Sequence, residues 1–344
     1  MSTGTTPAPR AAGAPGDAAA DAPAPARAPR LPPAVQQRWR GETYYDRPVV
    51  KASSFDWKVS AYIVALGISG SAQIIAALAR RRPEGRGLTR RARFLALAGS
   101  TVGPLVLVQH LKTPRRWYNM LRILRPTSPM SQGSWLLTVF GGLSGLTVLG
   151  EVLRRVRLAR RVADVAQAPA ALAGAGVSVY TAALLSSTST PLWAAAPGPL
   201  AAQFGTASMA GAASALALLQ RAAGEGRSAR RLEALAAVAI AAEFLASRVT
   251  ERRWERAGVA EPIRTGKIGA LHAGGAKALG MAVPLAAHGL GRVAGGRAGS
   301  LLPWIASFAV LAGSAAMRHS VLLAGNEGAC RPRDAFRVTQ EPPR

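Results

Sequence analysis

The chain has 344 residues, 49% of them hydrophobic, with 43 Lys and Arg against 17 Asp and Glu, a formal charge of +26. That charge would suit a nucleic-acid binder, but the arginines fall in short clusters such as Arg80-Arg81-Arg82, Arg154-Arg155 and Arg230-Arg231. Between clusters lie nearly uncharged runs of roughly 18–23 residues, the pattern of a polytopic membrane protein, and no continuous basic face is left to meet nucleic acid. The single cysteine, Cys330, excludes an intramolecular disulfide, a thiolate-held iron–sulfur cluster and a covalently attached haem within this chain.

Residues 1–40 form the first segment, dominated by Ala, Pro, Gly and Thr. It holds too little apolar surface to offset chain entropy and is predicted to be a disordered tail. It has no apolar core followed by a small-residue cleavage site, so no cleaved signal peptide is expected. A transmembrane domain is predicted over 41–325, followed by a C-terminal tail, 326–344. Within the domain the apolar runs cover about 57–79, 93–111, 133–150, 168–188, 197–219, 231–248, 268–289 and 299–320, each long enough to cross ~30 Å of hydrocarbon at ~1.5 Å per residue. Each is read as a helix, because an unpaired strand edge cannot face lipid. The expected fold class is therefore all-α integral membrane, a bundle of about eight transmembrane helices embedded in a lipid bilayer.

Loops 1–2, 3–4 and 5–6 are short and arginine-rich, and the positive-inside rule turns them to the cytoplasm. Both termini and loop 2–3 are then extracytoplasmic. Ionisable side chains inside spans are costly in lipid and default to functional candidates. His110 ends the second span, Glu243 lies about a turn from the end of the sixth, and His272 starts the seventh with Lys277 deeper. His319 ends the eighth beside Arg318, which is expected to snorkel to the headgroups. All of these fall toward the face that carries loop 2–3, so they are expected to converge beneath it. On the other face, Glu151 is expected to pair with Arg154 or Arg155 at helical spacing, and His288 to sit at the interface. Tyr180, in the fourth span, is read as either a hydrogen-bonded packing residue or a site member, with packing favoured.

Loop 2–3 is cationic, aromatic and proline-punctuated. It runs Arg116-Trp117-Tyr118-Asn119-Met120-Leu121-Arg122, then Pro126-Thr127-Ser128-Pro129-Met130, then Gly133-Ser134-Trp135. This segment closely resembles the signature loop of the NrfD/polysulfide reductase membrane-subunit family, which reads "RPxRFYNMLRxxKPTSPMSxGSW". Tyr44-Tyr45-Asp46-Arg47-Pro48-Val49-Val50-Lys51 with Trp57-Lys58 is similar to the family's opening, and Tyr180-Thr181-Ala182-Ala183-Leu184-Leu185-Ser186 to its "YTGxLLS" segment. One departure stands out. Where many members lead into the loop with Asp-Leu-Gly-Arg-Pro, this chain has His110-Leu111-Lys112-Thr113-Pro114.

The resemblance implies a quinone-reactive subunit of a respiratory oxidoreductase complex in the bacterial inner membrane. Its bound substrate would be menaquinone or ubiquinone, with no haem, iron–sulfur cluster or metal in this chain. Its partners would be a ferredoxin-like iron–sulfur subunit and a molybdopterin-type catalytic subunit. A quinone headgroup needs hydrogen-bond donors and a proton route, for which His and Glu are suited. His110, Glu243 and His272 are the expected proton-handling residues, and Tyr118, Asn119, Trp135, Lys277 and His319 the expected quinone-binding ones. Lys112, Arg115, Arg116, Arg122 and Arg125 would dock the iron–sulfur partner. The alternative is a purely structural anchor or a transporter; against transport, no span is clearly interrupted by paired Gly and Pro in matching halves.

Overall fold

The computed structural model describes residues 48, 50–293 and 296–339. The segment 1–40 and most of the Tyr44–Val49 motif lie outside the described residues. The described chain is helical, with no strand. Its long elements are α1 (Trp57–Ala79), α2 (Arg86–His110), α3 (Pro129–Val152), α4 (Arg157–Ser186), α5 (Pro197–Ala222) and α6 (Gly226–Arg256). They are followed by α7, a rod made of Gly266–Ala270, a π-helical stretch Leu271–Ala282 and Val283–Val293, and by α8 (Gly296–Ala329). Six of them, α1 to α5 and α8, are long and apolar enough to cross a membrane. The other two depart for visible reasons: α6 carries Glu233, Glu243 and Arg248 in its apolar run, and α7 is divided by the π-helical stretch.

Several helices outrun the apolar windows of the sequence. The second begins at Arg86, the fourth at Arg157, and the sixth and eighth continue to Arg256 and Ala329. Arginine is a good helix former, so a cluster that ends an apolar run does not end the hydrogen-bond ladder. True ends are set by local chemistry. Asp56 caps α1 by accepting the Lys58 N–H at 2.9 Å, and α3 starts at Pro129, where a missing N–H costs nothing.

The bundle is packed through small residues. A side chain at Gly70 would run into the backbone carbonyl of Gly174, and one at Gly174 into that of Gly70, which fixes the close crossing of α1 and α4. Gly280 and Gly313 do the same for α7 and α8. Leu66, Phe140, Phe204, Trp254 and Met317 fill the interior, while Leu78, Leu105, Leu172, Val238 and Phe308 point outward. Inside, among the apolar groups, sit Gln73, Gln167, Glu243 and Arg318, all buried. Apolar side chains outside with polar ones within is the distribution that lipid rather than water rewards.

Candidate functional site

The segment Arg116–Trp135 folds over the ends of α1 to α4. Pro114–Leu121 forms a short 3-10 helix, and the polar residues that follow bind the loop to the start of α3. Ser128 accepts the Ser131 N–H at 3.4 Å, Ser131 Oγ donates to the Ile123 carbonyl at 3.1 Å and accepts the Arg125 N–H at 3.0 Å, and Gln132 donates to the Pro126 carbonyl. The Ser-Pro-Met-Ser-Gln run is thus a set of braces that returns the chain into the next helix. Gly133 is needed for a further reason. A side chain there would occupy the ring of Tyr180, whose hydroxyl donates to the Pro129 carbonyl at 2.9 Å and ties α4 to the loop.

Beneath this cover lies a cavity of about 450 Å³. Its walls are largely apolar: Val59 and Ile63 from α1, Pro104 and Leu107 from α2, Leu137 from α3, Leu184 from α4. Trp117, Met120 and Leu121 of the loop close it, and His110, Tyr62, Ser100, Ser134, Thr138, Tyr180 and Thr181 supply its polar groups. The His110 ring is oriented at its Nδ1, which lies 3.3 Å from Asp56 Oδ1. That leaves the Nε2 edge for the cavity. Asp56 stands just outside the first span. Burial would raise its carboxyl pKa, but the Lys58 N–H bond and the neighbouring His110 outweigh this and hold it below the usual value.

The expected convergence does not occur as drawn. Of the expected proton-handling residues, only His110 lines the cavity. Tyr118 and Asn119 are exposed on the outer surface of the loop, Tyr118 at 54%. Trp135 is half-buried outside the cavity lining, with its Nε1 buried and without a hydrogen-bond partner among the described residues. His319 is turned to α1, its Nδ1 2.9 Å from Ser60 Oγ. Lys112, Arg115, Arg116, Arg122 and Arg125 are all exposed.

The remaining groups form two clusters, one half-buried and one fully buried. His272 and Lys277 project from the π-helical stretch onto Glu251 of α6, at 3.5 and 2.8 Å. Ser247 donates to the same carboxylate at 2.9 Å, and His272 Nδ1 meets Ser320 Oγ at 3.0 Å. Glu251 was legible, since Glu243, Ser247 and Glu251 repeat at intervals of four on one helix face, but it lies past the apolar window. Farther down, Glu243 lies near Arg318 without forming an ion pair. Arg318 does not snorkel: it is fully buried, donates to the Phe204 carbonyl at 3.2 Å, to Ser208 Oγ at 2.7 Å and to Ser314, and stacks over the Phe204 ring. Because α8 runs on to Ala329, positions 318 and 319 lie well inside the helix rather than at its end.

Two further expectations change, and one is resolved between its alternatives. Glu151 pairs with Arg93 of α2 at 2.7 Å, not with Arg154 or Arg155, because α3 ends at Val152 and the spacing rule lapses there. Arg93 then hands on to Gln167, and Gln167 to Gln73, at 2.7 and 2.8 Å, a polar chain joining four helices. Tyr180 is both of the things expected of it, hydrogen-bonded to the Pro129 carbonyl and a lining residue of the cavity. His288, expected at the interface, is buried.

These features define a multi-pass α-helical membrane protein with an apolar, headgroup-sized cavity at one end of its first four helices, roofed by a cationic loop. The chain belongs to the NrfD family: the family described as "Polysulphide reductase, NrfD" matches residues 49–327. Members of this family are membrane subunits of oxidoreductase complexes, and this chain is built as such a membrane anchor. A search of curated proteins found no match.

Proposed function

We propose that the protein is the quinone-reactive membrane subunit of a respiratory complex, exchanging electrons between the quinone pool and an iron–sulfur partner. The observation that carries this reading is the cavity under the loop. Its volume of about 450 Å³ falls within the ~300–1,000 Å³ common for small-molecule sites, and its apolar walls with few polar groups suit a flat ring on an isoprenoid tail. The donor set fits as well. His110, oriented by Asp56, and the Tyr62 hydroxyl are the groups that would hold ring oxygens, since the Ser134 and Thr138 hydroxyls already donate to the Met130 and Ser134 carbonyls. Bound there, a quinone supplies the electron transfer, taking up or releasing protons at its ring oxygens as it does so. This chain's part is to bind and orient the ring, keep water out, and offer the His110 imidazole for proton exchange at a ring oxygen.

The exposed Lys112, Arg115, Arg116, Arg122 and Arg125 would meet an acidic face of a ferredoxin-like subunit directly above the cavity, with a molybdopterin-type catalytic subunit beyond it. The arginine-rich turns between α1 and α2, α3 and α4, and α5 and α6 would face the cytoplasm of a bacterial inner membrane. Glu243, His272, Lys277 and His319 line no part of the cavity and are given no headgroup contact. His272 and Glu243 would instead act within their own clusters, beside Glu251 and near Arg318.

Titration of the purified full chain with a fluorescent hydroxyquinoline N-oxide, a quinone-site probe, tests the assignment. Saturable binding is expected, lost in Leu137→Trp, which fills the cavity, and weakened about tenfold in His110→Ala, equivalent to about 1.4 kcal/mol. Glu243→Ala and His272→Ala should bind as the unaltered chain does. Absence of binding in folded protein would favour a purely structural anchor. Loss in Glu243→Ala with full binding in Leu137→Trp would move the site.

A further inference from the structure

A second cavity, of about 590 Å³, opens at the opposite end of the same four helices. The turn between α1 and α2 and the turn between α3 and α4 meet there, and arginine lines it from both sides. Two of its arginines are neutralised: Arg93 by Glu151 at 2.7 Å, and Arg80 by Asp164 at 3.6 Å. Arg86, Arg90, Arg154 and Arg160 also line the cavity and have no carboxylate within ion-pair distance among the described residues. The first turn of α2 reaches the cavity at Gly87, and that helix has no side-chain cap, so its leading N–H groups add positive potential.

Arginines at a membrane surface often do no more than reach for passing headgroups. Here four unneutralised guanidiniums, two from the start of α2, one from the turn between α3 and α4 and one from α4, are gathered around one concave space, over a floor already braced by the Arg93–Glu151 pair. Like charges so placed repel unless an anion lies between them. The rim argues for what that anion belongs to. Val152, Val156 and Leu158, sequence neighbours of the lining residues Glu151, Arg154 and Arg160, are exposed large apolar side chains, a surface that suits acyl chains and offers nothing to a soluble ion.

We infer that this cavity binds the headgroup of an anionic phospholipid carrying two phosphates, a diphosphatidylglycerol. Arginine forks match phosphate oxygens bidentately, and the guanidiniums on either side of the space suit paired phosphates better than a single one. Basic pockets between transmembrane helices are where such headgroups bind. The assignment is independent of the quinone reading, since it uses none of the same residues.

Delipidated full-length protein in neutral detergent, titrated with diphosphatidylglycerol or phosphatidylglycerol and read by native mass spectrometry, tests it. Saturable binding of a single diphosphatidylglycerol is expected, about tenfold tighter than phosphatidylglycerol at matched charge. Arg86→Gln/Arg154→Gln should weaken it about tenfold or more, as should Arg90→Gln/Arg160→Gln if the first pair fails to fold. Arg252→Gln/Arg253→Gln, at the far membrane face, should bind normally. Equal affinity for the two lipids, or unchanged binding in the folded cavity variants, would overturn the inference. So would inorganic pyrophosphate binding as tightly as the lipid, which would assign the cavity to a soluble anion.

Discussion

Replacing Gly133 by alanine isolates the contact on which the roof of the upper cavity depends. Gly133 lies in α3, where alanine is intrinsically favoured by about 1 kcal/mol. If only helix propensity counted, Gly133→Ala would stabilise the protein by that amount. The added methyl, however, falls on the Tyr180 ring, and overfilling a packed site costs about 1–3 kcal/mol. Displacing the ring also breaks the Tyr180–Pro129 hydrogen bond at 2.9 Å, worth about 1 kcal/mol. The balance is a net loss of about 1–3 kcal/mol, visible as a lower midpoint in thermal unfolding of detergent-solubilised protein. A double-mutant cycle removes the ambiguity. In a Tyr180→Ala background the methyl has room, so the same Gly133→Ala change should become neutral or mildly stabilising, a coupling well above the scatter of independent sites. A Gly133→Ala cost that is equal with and without the Tyr180 ring would refute the steric account.

Other perturbations address the remaining polar groups. Asp56→Asn keeps a competent helix cap but removes the carboxylate beside His110. Since the folded Asp56 pKa is lowered, its contribution is complete above its ordinary value and lost as pH falls through the lowered one; unfolding midpoints of the two proteins should therefore converge as pH falls below about 4, and a constant gap would count against the pairing. Arg318→Lys should lower thermal stability clearly despite keeping the charge, because an ammonium cannot bridge the Phe204 carbonyl, Ser208 and Ser314 as the planar fork does; an unchanged midpoint would mean that the network is incidental. Glu251→Ala should cost about 1–3 kcal/mol, chiefly by leaving the buried His272 without its partner while Lys277, 36% exposed, is partly solvated, and Lys277→Met in the same chain should recover part of it. No recovery in that double variant would show that the cluster is not held together by charge.

Much was legible from composition and pattern. Apolar runs of membrane length, bounded by arginine clusters, sufficed for an all-helical membrane bundle because every backbone N–H and C=O in lipid needs a partner within its own segment. The signature loop pointed to the family from its own residues, and the braces Ser128, Ser131 and Gln132 explain why that wording is needed. Helix ends were less legible. Hydropathy marks where lipid stops, not where the hydrogen-bond ladder stops, and so the apolar run of α8 ends near residue 320 although the helix continues to Ala329.

That shift of a few residues governs the site. With α8 prolonged, Arg318 and His319 move from the membrane surface into the bundle; with α6 prolonged, Glu251 joins His272 and Lys277. Shared depth, which topology supplies, is not shared position. Depth depends on how far along its helix a residue stands, whereas contact depends on which way the helix is turned, and helix rotation is set by crossings such as Gly70 on Gly174 and Gly280 on Gly313. One-dimensional order therefore placed His110, His272, His319 and Glu243 toward one membrane face. Only packing in three dimensions parted them, leaving His110 with the cavity under the loop, His319 with Ser60, His272 with Glu251 and Glu243 near Arg318.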